Sequence, residues 1–133
     1  MRFGSVGGMP PRRRTDPELG RAALRRWHAD PDGTDRATRG TAVRYALEEL
    51  ATRAPGNSVE VRVPPYGVIQ CVEGPRHTRG TPPNVVETDA ETWLRLVQGE
   101  IPWSQALAEG VLRVSGTRAD LSGLLPLGRE DRA

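Results

Sequence analysis

The residues able to do chemistry gather in one stretch, VIQCVEGPRHTRGTPPNVVETD (residues 68–89). It holds the single cysteine, Cys71, and one of the two histidines, His77. A thiol and an imidazole are the minimal pair for nucleophilic catalysis, the ring taking the thiol proton. Here the two could meet only if the loop folded back over the preceding run, and no further residue is marked as an orienting partner or oxyanion donor. A lone cysteine among valines and an isoleucine reads as a small core residue. No catalytic residue is therefore assigned, and the chain is read as not an enzyme. His28 and His77 fall in different segments, and neither a CxxC nor an HExxH spacing occurs, so no metal site and no cofactor are expected. All 19 basic residues are arginine, which removes Schiff-base and P-loop lysine chemistry. Glu48 and Glu49, adjacent on a helical pattern, point in different directions and read as solvated.

What remains in the stretch is recognition. Arg76, His77 and Arg79 place several donors within four residues, between Gly74, Pro75, Gly80, Pro82 and Pro83. Such a constrained loop could hold an anion. It could equally leave its arginines in solvent or pair them with Glu73, Glu87 or a helix C-terminus. The basic character of the chain lies elsewhere: residues 1–14 carry four arginines and no acid, and the remainder has 15 arginines against 17 acids. The body is thus nearly neutral. The tail 1–14 reads as a disordered arm, and no specific nucleic-acid binding is expected.

The elements that must position these groups are legible from periodicity. Thr15 or Asp16 with Pro17 opens a short helix with Leu24 and Trp27 on one side, stopped by DPDG at residues 30–33. A second helix runs from about Asp35 to Arg53 on Val43, Ala46, Leu47, Leu50 and Ala51. Alternation of Val59, Val61 and Val63 predicts a strand with one wet face. The next run, Tyr66–Val72, is apolar on both sides and reads as a more central strand or one gripped between layers. Residues 84–88 form a third strand, and Thr88 with Glu91 reads as a capping box opening the helix AETWLRLVQ, stopped by Gly99. Pro102 starts a short helix, WSQALAE, ending at Gly110. Val111–Ser115 alternates as a strand, and Thr117 with Asp120 predicts a last helix carrying Leu121, Leu124 and Leu125 up to Pro126.

This order describes an α+β fold, one mainly antiparallel sheet with helices packed on one face. At 133 residues the chain suffices for one core. The expected organisation is a tail over 1–14, a single domain over 15–128 and a short tail over 129–133. No run is long and apolar enough to span a membrane, no secretory signal is evident, and one cysteine suits a reducing compartment, so a cytoplasmic protein is expected. Trp93, Leu94, Val97, Trp103, Ala106, Leu107, Leu121, Leu124 and Leu125 supply more apolar surface than short amphipathic helices need. Periodicity does not separate a filled core from a pocket.

Residues 88–125, TDAETWLRLVQGEIPWSQALAEGVLRVSGTRADLSGLL, resemble the C-terminal half of the sterol carrier protein domain. The resemblance rests on Asp89, Trp93, Leu94, Leu96, Gly99, Ala106, Gly110, Leu112, Val114, Gly116 and Leu121. From about Arg39 onward the chain is similar to the bacterial sterol carrier orthologue group, commonly met in actinobacterial proteins. The resemblance implies a curved sheet backed by helices around an apolar tunnel for a lipid, fatty acyl chain or sterol-like molecule. Trp93, Leu94, Val97, Leu107, Leu121, Leu124 and Leu125 become pocket lining, with Trp103 beside them. Arg76, His77 and Arg79 would then receive a head group. Such domains also occur as modules attached to larger enzymes, which keeps open an accessory module with a filled core that meets a protein partner through the 75–80 loop.

Overall fold

The computed structural model describes residues 14–74 and 84–128. Of the N-terminal tail only Arg14 is among them; the loop 75–83 and the tail 129–133 lie outside the described residues. Helix α1 (Pro17–Ala29) starts at Asp16, whose carboxylate accepts from the Glu18 N–H at 3.3 Å. Asp30 ends it and builds the following turn, accepting from the Gly33 N–H and the Thr34 hydroxyl. Helix α2 (Arg36–Arg53) is capped by Asp35, which accepts from the Thr38 N–H at 2.7 Å.

The apolar stripe expected on α2 is only part of what it buries. Gly40, Ala42 and Tyr45 are enclosed along with Val43, Ala46, Leu47, Leu50 and Ala51. The helix packs against α1, α3 and the second strand, so it is covered on more than one side. Such a helix loses its clean amphipathic signature. The α1 contact depends on Gly20: a Cβ there would stand 2.3 Å from Cγ of Tyr45, inside any tolerable contact. The aromatic ring lies on bare helix backbone.

Four strands follow, β1 (Val59–Val63), β2 (Gly67–Cys71), β3 (Asn84–Thr88) and β4 (Leu112–Ser115), in the spatial order β2-β1-β3-β4. The β1–β2 and β3–β4 pairs are antiparallel, while the central β1–β3 pair is parallel. The parallel pair follows from the hairpin. β2 brings the chain back beside Val59, where Asn84 also pairs, so β3 starts at the end of the sheet where β2 finishes and runs in the direction of β1. β2 is an edge strand, contrary to the central place expected from its apolar composition. Its Val68 is 56% exposed on the outer face, and only Cys71 is fully buried.

The register stacks Cys71, Val59 and Asn84 in one row, Ile69, Val61, Val86 and Val114 in the next, and Gly67 with Val63 and Thr88 with Leu112 at the far end. This face joins α1, α2 and α3 in one apolar cluster. The opposite face is charged, with Arg62 paired to Glu60 and Arg113 donating to Glu87 at 3.0 Å. Alternation therefore read the two faces of β1 as they stand.

Helix α3 (Ala90–Gln98) begins one residue later than the expected box. Asp89, not Thr88, is the cap, accepting from both the N–H and the hydroxyl of Thr92 at 2.8 and 3.0 Å. Thr88 ends β3 and donates to the Val111 carbonyl. Helix α4 (Trp103–Ala108) follows Pro102 as expected.

The last expected helix, over 117–125, does not form. Asp120 accepts from the Ser122 N–H at 2.9 Å, and Leu124 donates to the Leu121 carbonyl, a turn of three-residue reach. The aspartate that imitated a helix start serves a local turn in its place. Gly123 and Pro126 offer nothing to extend it. Ala119, Leu121 and Leu127 are buried from this irregular segment, and the Leu127 N–H donates to the Val97 carbonyl at 3.1 Å.

Gly20→Ala tests the packing of α1 on α2. Helix propensity alone favours alanine by about 1 kcal/mol. The clash with Tyr45 outweighs it, and thermal or urea unfolding is expected to show a net loss of about 1–3 kcal/mol.

Candidate functional site

The end of the sheet where β1 begins and β2 finishes is tied together by one buried amide. Asn84 donates through Nδ2 to the Ser58 carbonyl at 2.8 Å and accepts through Oδ1 from the Arg118 N–H at 2.9 Å. It thus joins the start of β1, the start of β3 and the chain beyond β4. Opposite it, the Val72 carbonyl accepts from the Ser58 N–H and hydroxyl, and the Val72 N–H donates to the Ala54 carbonyl at 2.6 Å. Val72 is held at φ 66°, an unusual conformation for a β-branched residue. Gly56, at φ 150°, passes so close that a Cβ would fall 2.2 Å from the Val72 carbonyl carbon. Both roots of the segment carrying Arg76, His77 and Arg79 are therefore fixed. Those three residues lie outside the described residues. Periodicity did not single out Asn84, because a polar residue at the head of a valine run reads as a strand boundary.

The apolar residues expected to line a pocket divide by burial. Trp93, Leu94, Val97 and Leu121 are fully enclosed within the cluster on the inner face of the sheet. Trp93 also directs its indole N–H toward the Val43 carbonyl at 3.4 Å, bridging α3 to α2. Trp103, Leu124 and Leu125 are partly buried against that cluster. Leu107 stands apart at 42% exposed, on the outward side of α4, where Ala106 supplies the buried position. Through Asn84 and Arg118 the irregular segment holding Leu121 starts beside the roots of the 75–83 loop.

The titratable groups raised by the sequence take structural places. Cys71 is buried on the inner face, and burial pushes its thiol up to about 12. A thiolate would have no compensating charge there. His28 pairs through Nδ1 with Glu100 at 2.7 Å, linking α1 to the end of α3. Glu48 and Glu49 are not merely solvated. Glu48 accepts from the N–H groups of Arg14 and Thr15, and Glu49 is buried and receives Arg53 Nε at 2.8 Å. Among the described residues no group of three His, Cys, Asp or Glu side chains could hold a metal ion, and no helix is long and apolar enough to cross a membrane.

The result is a mixed α+β fold whose open four-stranded sheet buries one valine-rich face under helices, and whose C-terminal half adds buried tryptophan and leucine side chains to the same cluster. Residues 35–127 match the family described as bacterial SCP ortholog, and the chain belongs to this sterol carrier protein-like family. The match starts at the cap of α2 and ends at the buried Leu127, leaving α1 outside it. No curated protein matches the chain significantly.

The environment of Cys71 has a direct consequence for thiol labelling. In the native state Cys71 is expected to resist an aromatic disulfide reagent over hours at pH 8. Modification should be complete within minutes once denaturant unfolds the chain, with absorbance of the released thiolate as readout. Fast native labelling would show a reactive thiol and contradict the burial argument.

Proposed function

We propose that the protein binds or transfers an apolar ligand, a lipid, a fatty acyl chain or a sterol-like molecule, without catalysing a reaction. The ligand lies between the inner sheet face and the C-terminal segments, within a single domain over 15–128 whose sheet curves around it. Trp93, Leu94, Val97, Trp103, Leu107, Leu121, Leu124 and Leu125 line the site, and Arg76, His77 and Arg79 receive an anionic head group at its mouth. The setting is the cytoplasm of a bacterium.

The observation that carries this reading is membership of the sterol carrier protein-like family over 35–127, which takes in every strand and the whole apolar face. Physical chemistry supports it. Each methylene taken from water contributes about 0.8 kcal/mol. An acyl chain therefore suffices for roughly micromolar affinity, about 8 kcal/mol, after the costs of association. No ionised group is needed in the pocket. The fixed roots of the 75–83 loop, close to where the Leu121 segment begins, support a head-group role for its arginines.

One observation favours a second reading, an accessory module that contacts a protein partner through residues 75–80. Trp93, Leu94, Val97 and Leu121 are almost wholly enclosed by protein, as in a filled core. A fluorescent fatty acid displaced by unlabelled lipids, together with native mass spectrometry, separates the two. The carrier reading predicts one-to-one complexes and micromolar displacement, weakened about tenfold or more by Leu124→Trp, which fills the space a chain would take. Absence of complexes across fatty acids, phospholipids and sterols, with Leu124→Trp folding normally, would establish the filled-core reading.

A further inference from the structure

We propose that a cleft between the first half of α2 and the β1–β2 turn binds a phosphate monoester carried on a flat apolar group. The cleft has a volume of about 450 Å³ and is lined by Arg36, Ala37, Gly40, Arg44, Pro65 and Tyr66. That volume falls within the range of small-molecule sites, roughly 300–1,000 Å³. Arg36, Gly40 and Arg44 recur every four residues and so share one face of α2. Gly40 provides the floor. A Cβ there would stand 3.0 Å from both Nη1 of Arg44 and Cδ1 of Tyr66, so a guanidinium and an aromatic ring already close over the bare backbone.

The two arginines are available. Among the described residues neither forms an ion pair. The neighbouring carboxylates are committed elsewhere: Asp35 accepts from the Thr38 N–H, and Glu48 from the N–H groups of Arg14 and Thr15. Arg36 is also the first residue of α2, where the unpaired N–H groups add positive potential. Two guanidinium forks suit an anion with three terminal oxygens and a charge near −2, which is a phosphate monoester at neutral pH. Pro65 and Tyr66 form the other wall, with Tyr66 held by its N–H donating to the Val63 carbonyl at 2.9 Å. Their apolar surface would cover a flat body attached to the phosphate.

This site is separate from the proposed lipid pocket and its head-group loop. β1 runs from Val59, beside Asn84 and the loop roots, to Val63 beside Gly67, so the cleft lies at the opposite end of the hairpin. Binding in the cleft can therefore succeed or fail whatever the fate of the lipid reading.

The test is titration of the ¹⁵N-labelled full chain with phenyl phosphate and with inorganic phosphate, following amide shifts. Saturable shifts are expected at residues 36–44 and 66–67, with phenyl phosphate the tighter ligand. Arg36→Gln and Arg44→Gln should each weaken it about tenfold, the loss of one charge-assisted contact. Ala37→Glu, which puts a carboxylate into the cleft, should abolish it, and Arg113→Gln on the outer sheet face should leave it unchanged. Equal melting temperatures verify that the variants fold. Flotation with phosphatidylcholine vesicles containing phosphatidic acid distinguishes the source of the phosphate. Flotation that needs both arginines assigns a lipid head group, and saturation by phenyl phosphate without flotation assigns a soluble ester. No saturable shift and no arginine-dependent flotation, or an affinity untouched by Ala37→Glu, would overturn the proposal.

Discussion

The structure depends on covering α2 from several directions at once. A helix that encloses Tyr45 and Ala42 as well as Val43, Leu47 and Leu50 cannot stand on a sheet alone, because each uncovered large side chain forfeits roughly 1.5–3 kcal/mol of burial. α1 meets this requirement by offering Gly20 to the Tyr45 ring, and the indole of Trp93 meets it from the side of α3. The sheet then supplies the third surface through Val59, Val61, Val63 and Cys71. The short first helix, thin in apolar residues, is therefore part of the core although it lies outside the family match.

Much of this was legible in the chain because its elements obey local rules. Val59, Val61 and Val63 alternate and face inward, Asp35 caps α2, and Gly99 closes α3 at φ 80°. The misreadings share a cause: local pattern was asked to decide a tertiary question. β2 looked central because valine and isoleucine occupy both faces, yet nothing local reports how many neighbours a strand has. The parallel β1–β3 pair is fixed by which end of the hairpin the link leaves from. Thr117 and Asp120 imitate a capping box, but a turn that satisfies Asp120 locally and buries Ala119, Leu121 and Leu127 is worth more than two helical turns containing Gly123. Glu48 and Glu49 looked solvated because adjacent helical carboxylates point in different directions, whereas Glu48 accepts from the N–H groups of Arg14 and Thr15, and Glu49 accepts from Arg53 one turn later.

For the site, residue types were readable and enclosure was not. Leucine and tryptophan spacing marked Trp93, Leu94, Val97 and Leu121 as apolar-face or bordering residues, and all four are buried. The same spacing included Leu107, which faces outward because α4 is too short to bury more than Ala106. Asn84, which holds the loop end of the sheet together, carried no sequence signal. The hairpin thus has two ends of different character. One, at Asn84 and Val72, anchors the arginine-bearing loop; the other, at Pro65 and Tyr66, faces two arginines of α2 that form no ion pair among the described residues.

The central claim, that the inner sheet face and the C-terminal segments accept an apolar chain, is tested most directly by a spin-labelled fatty acid added to methyl-labelled protein. Insertion predicts selective broadening of the Leu94, Val97, Leu121 and Leu124 methyl signals, with Val68 on the outer sheet face unaffected. Broadening confined to exposed methyls such as Leu19 and Val68, or none at all, would contradict the account.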